Sequence, residues 1–431
     1  MVFATEITQE QLVACRRLLH RHAESGFSEF WTTAFLAREL ANAGLEVQVG
    51  ESIIDREHRM GVPDDTAQSG RLTRALEQGA DPGWIRRMNG LTGVVVDLKP
   101  GLPPHTVLRF DIDAVDVQES DENAHRPTRE GFRSLNDGHC HACGHDGHAT
   151  VGLGVARTLA PLRDQLQHNV RLVFQPAEEG SRGAAAMVRA GVVDGAKYFF
   201  GAHIGANATQ DHQLVCGTRD FLATTKFDVD FHGLAAHSGS EPHKGRNSIL
   251  AAANAILNLH AISRHGEGDT RIAVGQVVGG TGRNVVPDHA HLVCETRGRS
   301  TELDRYMFDR ARQIVAGSAA MYEQEYTITL MGQAGSADSD DAMCRIVAEA
   351  GAQISYFAPE QLVLKGKGFG SDDACTLLSA VQSRGGIGAY AQIGSALPAG
   401  HHHPRFDFNE NLLLPAVELF CRVALALDER G

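Results

Sequence analysis

The chain has 431 residues, of which 42% are hydrophobic and 22% are charged, and these proportions are ordinary for a globular protein. Its formal net charge of -13 argues against general binding to nucleic acid or to an anionic membrane surface. No apolar run reaches the roughly 18 residues that a membrane-spanning helix requires. The N-terminus lacks the basic-then-apolar pattern of a signal peptide. We therefore expect a cytoplasmic protein of two or three domains that binds neither nucleic acid nor membrane.

The cysteine pattern agrees with a reducing compartment. Eight cysteines are scattered through the chain and are not clustered as in a disulfide-stabilised secreted domain. We expect most of them to be reduced, buried, small apolar residues. Cys143 is the exception, because it stands in "HCHACGHDGHATVG", where four histidines and two cysteines fall within ten residues.

The first half of the chain predicts an α/β fold. Segment 8–44 has the apolar spacing of two helices, and the second helix ends at a capping glycine, Gly44. Residues 51–89 are polar with helical pieces and read as an insertion. The β-branched runs "TGVVVDL" and "HTVLRFDIDAV" predict buried, mainly parallel strands. Helices and strands then alternate as far as "KYFFGAHIG", which predicts a sheet covered by helices on both faces.

The pattern changes near Phe221. From there to "EYTITLMGQAG" the predicted order is β-α-β-β-α-β, the order of a ferredoxin-like sandwich. After about Gly335 the α/β pattern resumes. We therefore predict a discontinuous α/β catalytic domain, 1–219 and 334–431, that carries a smaller inserted domain, 220–333.

Side chains that bind metals are concentrated at predicted strand ends and in loops. They are Cys143, His145, Glu178, Glu179, His203 and the three histidines 401–403. Taken singly, each has an ordinary explanation, such as a hydrogen-bonded histidine or a solvated loop. Taken together they indicate a site, because the carboxyl ends of strands in an open α/β sheet meet at one crevice. Thiolate, imidazole and carboxylate groups are ligands of zinc and related metals.

The spacing favours a catalytic site over a structural one. Cys143 and His145 have a C-x-H spacing that does not match a zinc finger, and spare carboxylates suit an open site. The adjacent glutamates, Glu178 and Glu179, can divide two tasks. One binds metal, and the other is a general base toward a water whose pKa the metal lowers to about 7.

A set of motifs then gives a resemblance to a known family. These are "RFDIDAVDVQE", "HACGHDGHA", "FQPAEEGSRGA", "AHIG", "GLAAHSG", "GGTGRNVVPDHAHLVCETRG" and "GHHHPRFDFNE". In this order they resemble the dinuclear-metal amidohydrolases, which include aminoacylases, hippurate hydrolases, plant auxin-conjugate hydrolases and carboxypeptidase G. The resemblance runs from about Thr8 to Leu425. Within the family, "DREHRMGVP", "FLATTKFDV", "GRNVVP" and "VCETRG" are similar to the subgroup that hydrolyses p-aminobenzoyl-glutamate.

The resemblance implies a site for two divalent metal ions, zinc or manganese, with cobalt also possible. The implied ligands are Cys143, His145, Glu179, His203 and His402. Many relatives place a bridging aspartate where this chain has Cys143, so the resemblance implies a bridging thiolate. His401 stays open as an alternative last ligand. Asp111 and Asp113 stand where other relatives have a His-x-Asp motif, and we expect them to orient His145 or another ligand.

The same resemblance implies residues for catalysis and substrate binding. Glu178 matches the catalytic base, and His237 matches a histidine that stabilises the oxyanion. Asn284 and Arg297 match residues that hold a substrate carboxylate. Without the resemblance, Arg297 would be assigned to a salt bridge on a strand surface and His237 to a turn contact. Segment 371–373 matches a loop near the site, and its role stays open.

The implied reaction is hydrolysis of the amide bond of an N-acyl amino acid. p-Aminobenzoyl-glutamate is the first candidate substrate, and indole-3-acetyl-aspartate or another aryl-acyl conjugate is the alternative. Two further classes are a metal-binding protein that has lost catalysis and a non-catalytic partner subunit. The filled ligand positions and the presence of Glu178 favour an active enzyme. We expect a homodimer formed through the inserted domain, which would serve as lid and dimerisation domain. A paralogous subunit is the other possible partner.

Overall fold

A computed structural model describes residues 7–430, and within it the chain divides into two compact units. The larger unit consists of the described residues up to Asp220 together with those from Ala337 onward. The smaller unit is Phe221–Ser336, which overlaps the predicted insertion at 220–333. All eight cysteines are free, as the sequence predicts. Within residues 7–430, none of the helices combines the length and the apolar character that crossing a membrane requires.

The α-helices of the described residues are short to medium in length. They are α1 (Gln9–Arg21), α2 (Phe30–Asn42), α3 (Asp65–Glu77), α4 (Pro82–Met88), α5 (Arg126–Arg129), α6 (His145–Leu159), α7 (Ala184–Arg189), α8 (Ser248–His260), α9 (Thr301–Met321), α10 (Asp341–Gly351), α11 (Ala374–Gln382) and α12 (Leu413–Asp428). Helices α3 and α4 are the helical pieces predicted in the polar insertion. Helix α1 begins with a capping box, in which the Thr8 side chain and Gln11 satisfy each other's backbone amides.

The strands follow the same order along the chain. They are β1 (Val47–Gln48), β2 (Val94–Asp97), β3 (Pro104–Asp111), β4 (Asn169–Gln175), β5 (Tyr198–Ile204), β6 (Leu214–Val215), β7 (Thr218–Arg219), β8 (Ala223–His232), β9 (Thr270–Gly279), β10 (His289–Gly298), β11 (Glu325–Ala334), β12 (Leu362–Val363), β13 (Gly366–Lys367) and β14 (Ile387–Ile393).

The large unit is built on a mixed sheet with the strand order β1-β2-β4-β3-β5-β14-β6-β12. Its centre, β4-β3-β5-β14, is parallel as predicted. The prediction of parallel pairing was wrong for β2, which pairs antiparallel with β4. The connection from β2 to β3, from Asp97 to Pro104, is too short for the crossover of a dozen or more residues that two parallel strands require. Strands β2 and β3 therefore run in opposite directions, and β3 is parallel to β4. Strand β3 is buried along its whole length.

Helix α6 lies very close to the sheet because its glycines leave room for neighbouring side chains. A Cβ atom added at Gly152 would lie 2.5 Å from the ring of Phe174, and one at Gly147 would lie 2.6 Å from Ile204. Such distances are shorter than van der Waals contact, so only glycine fits at both positions. The close approach brings the N-terminus of α6 to the carboxyl ends of β3 and β5.

The small unit has the element order β8-α8-β9-β10-α9-β11 and a four-stranded antiparallel sheet in the order β11-β8-β10-β9. Alternate residues of β8, namely Phe227, Val229 and Phe231, are fully buried in a core with α8 and α9. This alternation is typical of a sheet with one covered and one open face. Strand β9 is at the edge of the sheet, and residues 276–279 are exposed.

Arg16 on α1 is fully buried and contacts carboxylates from two distant parts of the chain. Its Nε donates to Asp146 Oδ2 at 2.7 Å. Its Nη2 lies 3.0 Å from Asp407 Oδ1, and its Nη1 lies 3.2 Å from Glu410 Oε1. Burial alone would raise the pKa of Asp146, but the charge of Arg16 lowers it below its ordinary value. One guanidinium therefore joins α1, the start of α6 and the C-terminal segment.

We expect the substitution Arg16→Met to lower the free energy of unfolding by about 3–5 kcal/mol, because it leaves three buried carboxylates without their shared cation. Urea unfolding followed by circular dichroism measures this change. Arg38→Met is the matched control, since Arg38 is half exposed and pairs with Glu39 at the surface. Its expected cost is below about 1 kcal/mol. Equal stability of the two variants would contradict the assignment of Arg16 as a structural link.

Candidate metal centre

The predicted ligands meet at the carboxyl ends of the four central parallel strands. Strand β3 ends at Asp111, β4 leads into the turn with Glu178, and β5 carries His203 as its penultimate residue. Strand β14 leads into the loop that contains His402, and Cys143 and His145 come from the N-terminus of α6. The structure thus brings together residues that are up to 259 positions apart in the sequence, from 143 to 402. This is the crevice at which open α/β sheets bind ligands.

Two groups of possible ligands share Cys143. One is Cys143, His145 and His203, and the other is Cys143, Glu179 and His402; within each group the ligand atoms lie within 4.8 Å of one another. Cys143 Sγ lies 3.5 Å from His203 Nε2, and His402 Nε2 lies 3.3 Å from Glu179 Oε1. A thiolate common to both groups is the arrangement that a bridging ligand requires. All five predicted ligands therefore fit a pair of divalent cations.

The two buried histidines of the first group have fixed orientations. His145 Nδ1 lies 2.9 Å from the carbonyl oxygen of Asp113, and His203 Nδ1 lies 2.8 Å from that of Ile204. A carbonyl only accepts, so each Nδ1 carries a proton and each Nε2 is the ring nitrogen that a metal ion would use. His145 Nε2 is buried and has no hydrogen-bond partner among residues 7–430. This is the pattern of histidines that bind a metal.

His401 and His402 differ in a way that the sequence leaves open. The backbone amide of Ala206 donates to His401 Nε2 at 2.9 Å, and His401 Nδ1 lies 3.7 Å from Cys143 Sγ. Burial and the neighbouring His402 lower the pKa of His401 to about 4, so its ring is neutral with the proton on Nδ1. Neither nitrogen then offers a lone pair to a metal. The geometry therefore favours His402 as the ligand.

Asp113 connects His145 to the turn at residues 177–179, the glutamate turn. Its carboxylate accepts from the backbone amides of Glu178 at 3.1 Å and Glu179 at 2.9 Å, and it lies 3.3 Å from His145 Nδ1. The preceding residue of the turn, Ala177, has a φ of +52°, a left-handed conformation that is unfavourable for alanine. Its amide donates to the buried carboxylate of Glu29 at 2.7 Å. The turn is thus fixed from both ends.

The other aspartate of the motif, Asp111, contacts His148 and not a backbone amide of the turn. His148 Nδ1 hydrogen-bonds to Asp111 Oδ1, and His148 Nε2 accepts from the amide of Ile204 at 2.9 Å. Both ring nitrogens of His148 are therefore occupied by protein groups. His148 supports the end of β5, next to His203, and is not available as a ligand.

The two adjacent glutamates have opposite electrostatic surroundings. Burial and the charges of Asp372 and Glu179 raise the pKa of Glu178 well above its ordinary value. Burial alone would also raise the pKa of Glu179, but a hydrogen bond from His402 and the charge of His145 lower it. A carboxyl with a raised pKa can accept and return a proton near neutral pH, whereas its ionised neighbour suits a metal.

Arg109 is a residue that the sequence pattern did not identify. It is buried in β3, donates to Gln175 Oε1 at 2.8 Å and pairs with Asp111. Its Nη2 lies 3.5 Å from Asp372 and 3.4 Å from Asp373, on the loop whose role the sequence left open. The available signal was a single arginine inside the apolar run "HTVLRF", since a buried arginine needs carboxylate partners.

The remaining predicted residues belong to the small unit. His237 is exposed, and its Nδ1 accepts from the amides of Gly239 and Ser240 at 3.1 Å, so the neutral ring keeps its proton on Nε2 as a donor. The amide of Ser238 donates to the carbonyl of Asn284 at 3.1 Å, which brings these two segments together. The turn contact considered for His237 is therefore present, and it leaves the Nε2 donor intact.

Arg297 lies on β10 and makes the salt bridge that its strand position suggests. Its Nε donates to Glu295 Oε1 at 2.7 Å, and its Nη2 donates to Glu295 Oε2 at 3.0 Å. The pairing holds the guanidinium in one orientation.

Comparison with known proteins gives the family. The profile described as "Peptidase family M20/M25/M40" matches residues 107–426. The chain belongs to this family. It is therefore a metal-dependent amidohydrolase with the fold of M20 peptidases.

Several known proteins match this chain over nearly its full length. It is 44% identical to indole-3-acetyl-aspartic acid hydrolase of Enterobacter agglomerans, over 96% of this chain and 95% of the relative. It is also 44% identical to one of the p-aminobenzoyl-glutamate hydrolase chains of Escherichia coli K12, over 95% and 94%. The crystal structure of an aminobenzoyl-glutamate utilization protein from Klebsiella pneumoniae superimposes with a TM-score of 0.83, at 39% identity and 97% and 95% coverage.

A more distant solved structure shares the fold alone. It is a protein of Bacillus subtilis described as a dinuclear metal binding peptidase of the M20 family, with a TM-score of 0.65 at 24% identity, covering 98% of each chain.

We expect His402→Ala to lower the bound metal from two ions to one per chain, because the group with Cys143 and Glu179 loses a ligand. His401→Ala should keep two ions, since neither nitrogen of His401 offers a lone pair. Metal content after gel filtration, measured by inductively coupled plasma mass spectrometry, decides between the two histidines. Loss of metal from the His401 variant alone would reverse the assignment.

Proposed function

We propose that this M20-family enzyme hydrolyses the amide bond of an N-acyl acidic amino acid whose acyl group is aromatic, with p-aminobenzoyl-glutamate as its main substrate. The observation that carries the proposal is the pair of ligand groups sharing Cys143 beside the buried Glu178. The relatives supply the substrate class, since two that match nearly the whole chain are described as hydrolases of p-aminobenzoyl-glutamate and indole-3-acetyl-aspartic acid. Both substrates join an aromatic acyl group to an acidic amino acid.

The proposed roles follow from the surroundings of each residue. Two divalent cations held by Cys143, His145, Glu179, His203 and His402 would polarise the amide carbonyl and acidify a water molecule. Glu178 takes a proton from the attacking water and passes it to the leaving nitrogen. Its raised pKa suits both steps. The donor set of thiolate, imidazoles and carboxylates accepts zinc as well as manganese.

The small unit supplies the groups for charge and recognition in this proposal. His237 donates its Nε2 proton to the carbonyl oxygen as negative charge develops there. Arg297 and Asn284 bind the carboxylate of the amino acid. A substrate carboxylate would share the Arg297 guanidinium with Glu295, which fixes the guanidinium but offsets part of its attraction for a second anion.

A second candidate substrate is indole-3-acetyl-aspartate, because the hydrolase of that compound has the same 44% identity to this chain as the p-aminobenzoyl-glutamate relative. A panel of p-aminobenzoyl and indole-acetyl conjugates of glutamate and aspartate, assayed separately with manganese and zinc, distinguishes the two. We expect the highest kcat/KM with p-aminobenzoyl-glutamate. Preference for the indole-acetyl conjugates would favour the second candidate.

We expect Glu178→Gln to retain two metal ions and to lower kcat by about 100- to 10,000-fold, because the proton acceptor is removed while the ligands stay. Release of p-aminobenzoate from p-aminobenzoyl-glutamate measures the rate. Glu24→Gln is the matched control, since Glu24 is also a buried carboxyl but accepts from the amides of Trp31 and Thr32. Near-normal turnover of the Glu178 variant would disprove its role as base.

The partner and location proposals rest on separate features. We propose that the small unit mediates homodimerisation, because its edge strand β9 and the adjacent α8 expose apolar side chains. Val277 and Val278 are 54% and 55% exposed, and Leu257 on α8 is 73% exposed. A paralogous subunit is the alternative partner.

The proposed location rests on the cysteines. The eight free cysteines support a reducing, cytoplasmic location.

We expect Leu257→Glu combined with Val277→Glu to convert the dimer to a monomer, because two charges would have to be buried in the interface. Light scattering coupled to gel filtration measures the mass. Leu102→Glu is the control and should stay dimeric, since Leu102 is 49% exposed and belongs to the large unit. A monomeric unmodified protein would argue for a paralogous partner.

A further inference from the structure

Phe369 is an aromatic side chain next to a predicted metal ligand. The centroid of its ring lies 4.8 Å from that of His203, and the two rings meet edge to face at 61°. Its side chain is only partly buried. Phe369 therefore forms part of the wall of the metal centre on the side of the group with Cys143, His145 and His203.

The loop that carries Phe369 is anchored before the ring. The amide of Gly368 donates to the carbonyl of Arg219 at 2.6 Å. The side-chain amide of Asn207 donates to the carbonyls of Lys367 at 3.1 Å and Gly368 at 3.2 Å, and that of Gln392 donates to Lys367 at 3.0 Å.

The loop is also anchored after the ring. Gly370 has a φ of +143°, a conformation that a residue with a side chain rarely adopts. Asp372 accepts from the amide of Ala374 at 2.8 Å and from the hydroxyl of Tyr390 at 2.6 Å. With both ends fixed, the backbone that carries the Phe369 ring is held in place before a substrate arrives, which reduces the entropy cost of binding.

The loop after Phe369 carries two acidic, buried residues. Asp372 and Asp373 closely follow Phe369 in the chain, and their carboxylates lie within 4.8 Å of Glu178. Arg109 pairs with both carboxylates, so this loop offers no free positive charge to a carboxylate of the substrate. An aromatic acyl group carries no charge and gains from contact with another aromatic ring.

We infer that Phe369 is a specificity-determining residue that stacks against the aromatic acyl group and selects aryl-acyl over alkyl-acyl substrates. This inference rests on the proposed function. It assigns the part of the site that recognises the acyl group. The metal ligands and the carboxylate-binding residues do not distinguish one acyl group from another.

The test compares two substrates that share one amino acid, p-aminobenzoyl-glutamate and N-acetylglutamate. We expect Phe369→Leu to lower the ratio of their kcat/KM values by about two- to tenfold, through a loss confined to the aromatic substrate. Phe369→Tyr should restore the ratio, because it keeps the ring. Tyr356→Leu is the matched control, since Tyr356 is a partly buried aromatic whose ring packs on His212 and Phe357, neither of which is a predicted ligand.

The outcomes separate this inference from the proposed function. An unchanged ratio in Phe369→Leu, or an equal loss with both substrates, overturns the inference while amide hydrolysis stands. If the unmodified enzyme cleaves neither substrate, the proposed substrate class fails, and equilibrium binding of p-aminobenzoate then tests the ring directly. Binding weakened two- to tenfold by Phe369→Leu supports the aryl site, and equal binding overturns it.

Discussion

Compensation of buried carboxylates by two arginines is the constraint on which the site depends. Five acidic residues next to the predicted ligands, or in the network behind them, have almost no contact with solvent: Asp111, Asp146, Asp372, Asp373 and Asp407. Unpaired charges in such positions are strongly destabilising. Arg16 and Arg109 are fully buried among them and supply the positive charge. The metal centre is thus surrounded by a charge network that exists before any cation binds.

This network explains how a site assembled from loops can be rigid. The turn at 177–179 is held by buried hydrogen bonds from its backbone amides to the carboxylates of Glu29 and Asp113. Backbone carbonyls orient His145 and His203. Few rotamers then remain for the groups that would bind metal, so the entropy cost of assembling the site is met during folding.

The α/β pattern and a candidate ligand set could be proposed from the sequence because both leave local signals. Strand ends rich in histidine and glutamate, and motifs in a fixed order, were sufficient to nominate Cys143 and Glu178. The antiparallel direction of β2 was missed because a β-branched run has the same appearance in either direction. The sequence names His402 with His401 as the alternative, and it carries no signal for the contact that separates them, the hydrogen bond that His401 Nε2 accepts from the amide of Ala206.

Arg16 and Arg109 show why the supporting network was harder to predict. On α1, Arg16 occupies a position that looks like the polar face of a surface helix. Its partners at 146, 407 and 410 lie more than one hundred residues away. Arg109 had a local signal, a charge within an apolar strand, but its partner loop at 372–373 is equally remote. Charge pairs between residues so far apart leave no periodic pattern in the sequence from which they could be predicted.

The sheet order also bears on biosynthesis. Strand β14, at residues 387–393, lies between β5 and β6, which come from residues 198–215. A nascent chain that has left the ribosome as far as α11 therefore has an open slot in the middle of its main sheet. The slot closes only after residues 387–393 have been made, and His402, the predicted last ligand, follows them in the chain. Until then the partly formed sheet exposes unpaired strand edges, which favours aggregation, and the predicted ligand set is incomplete.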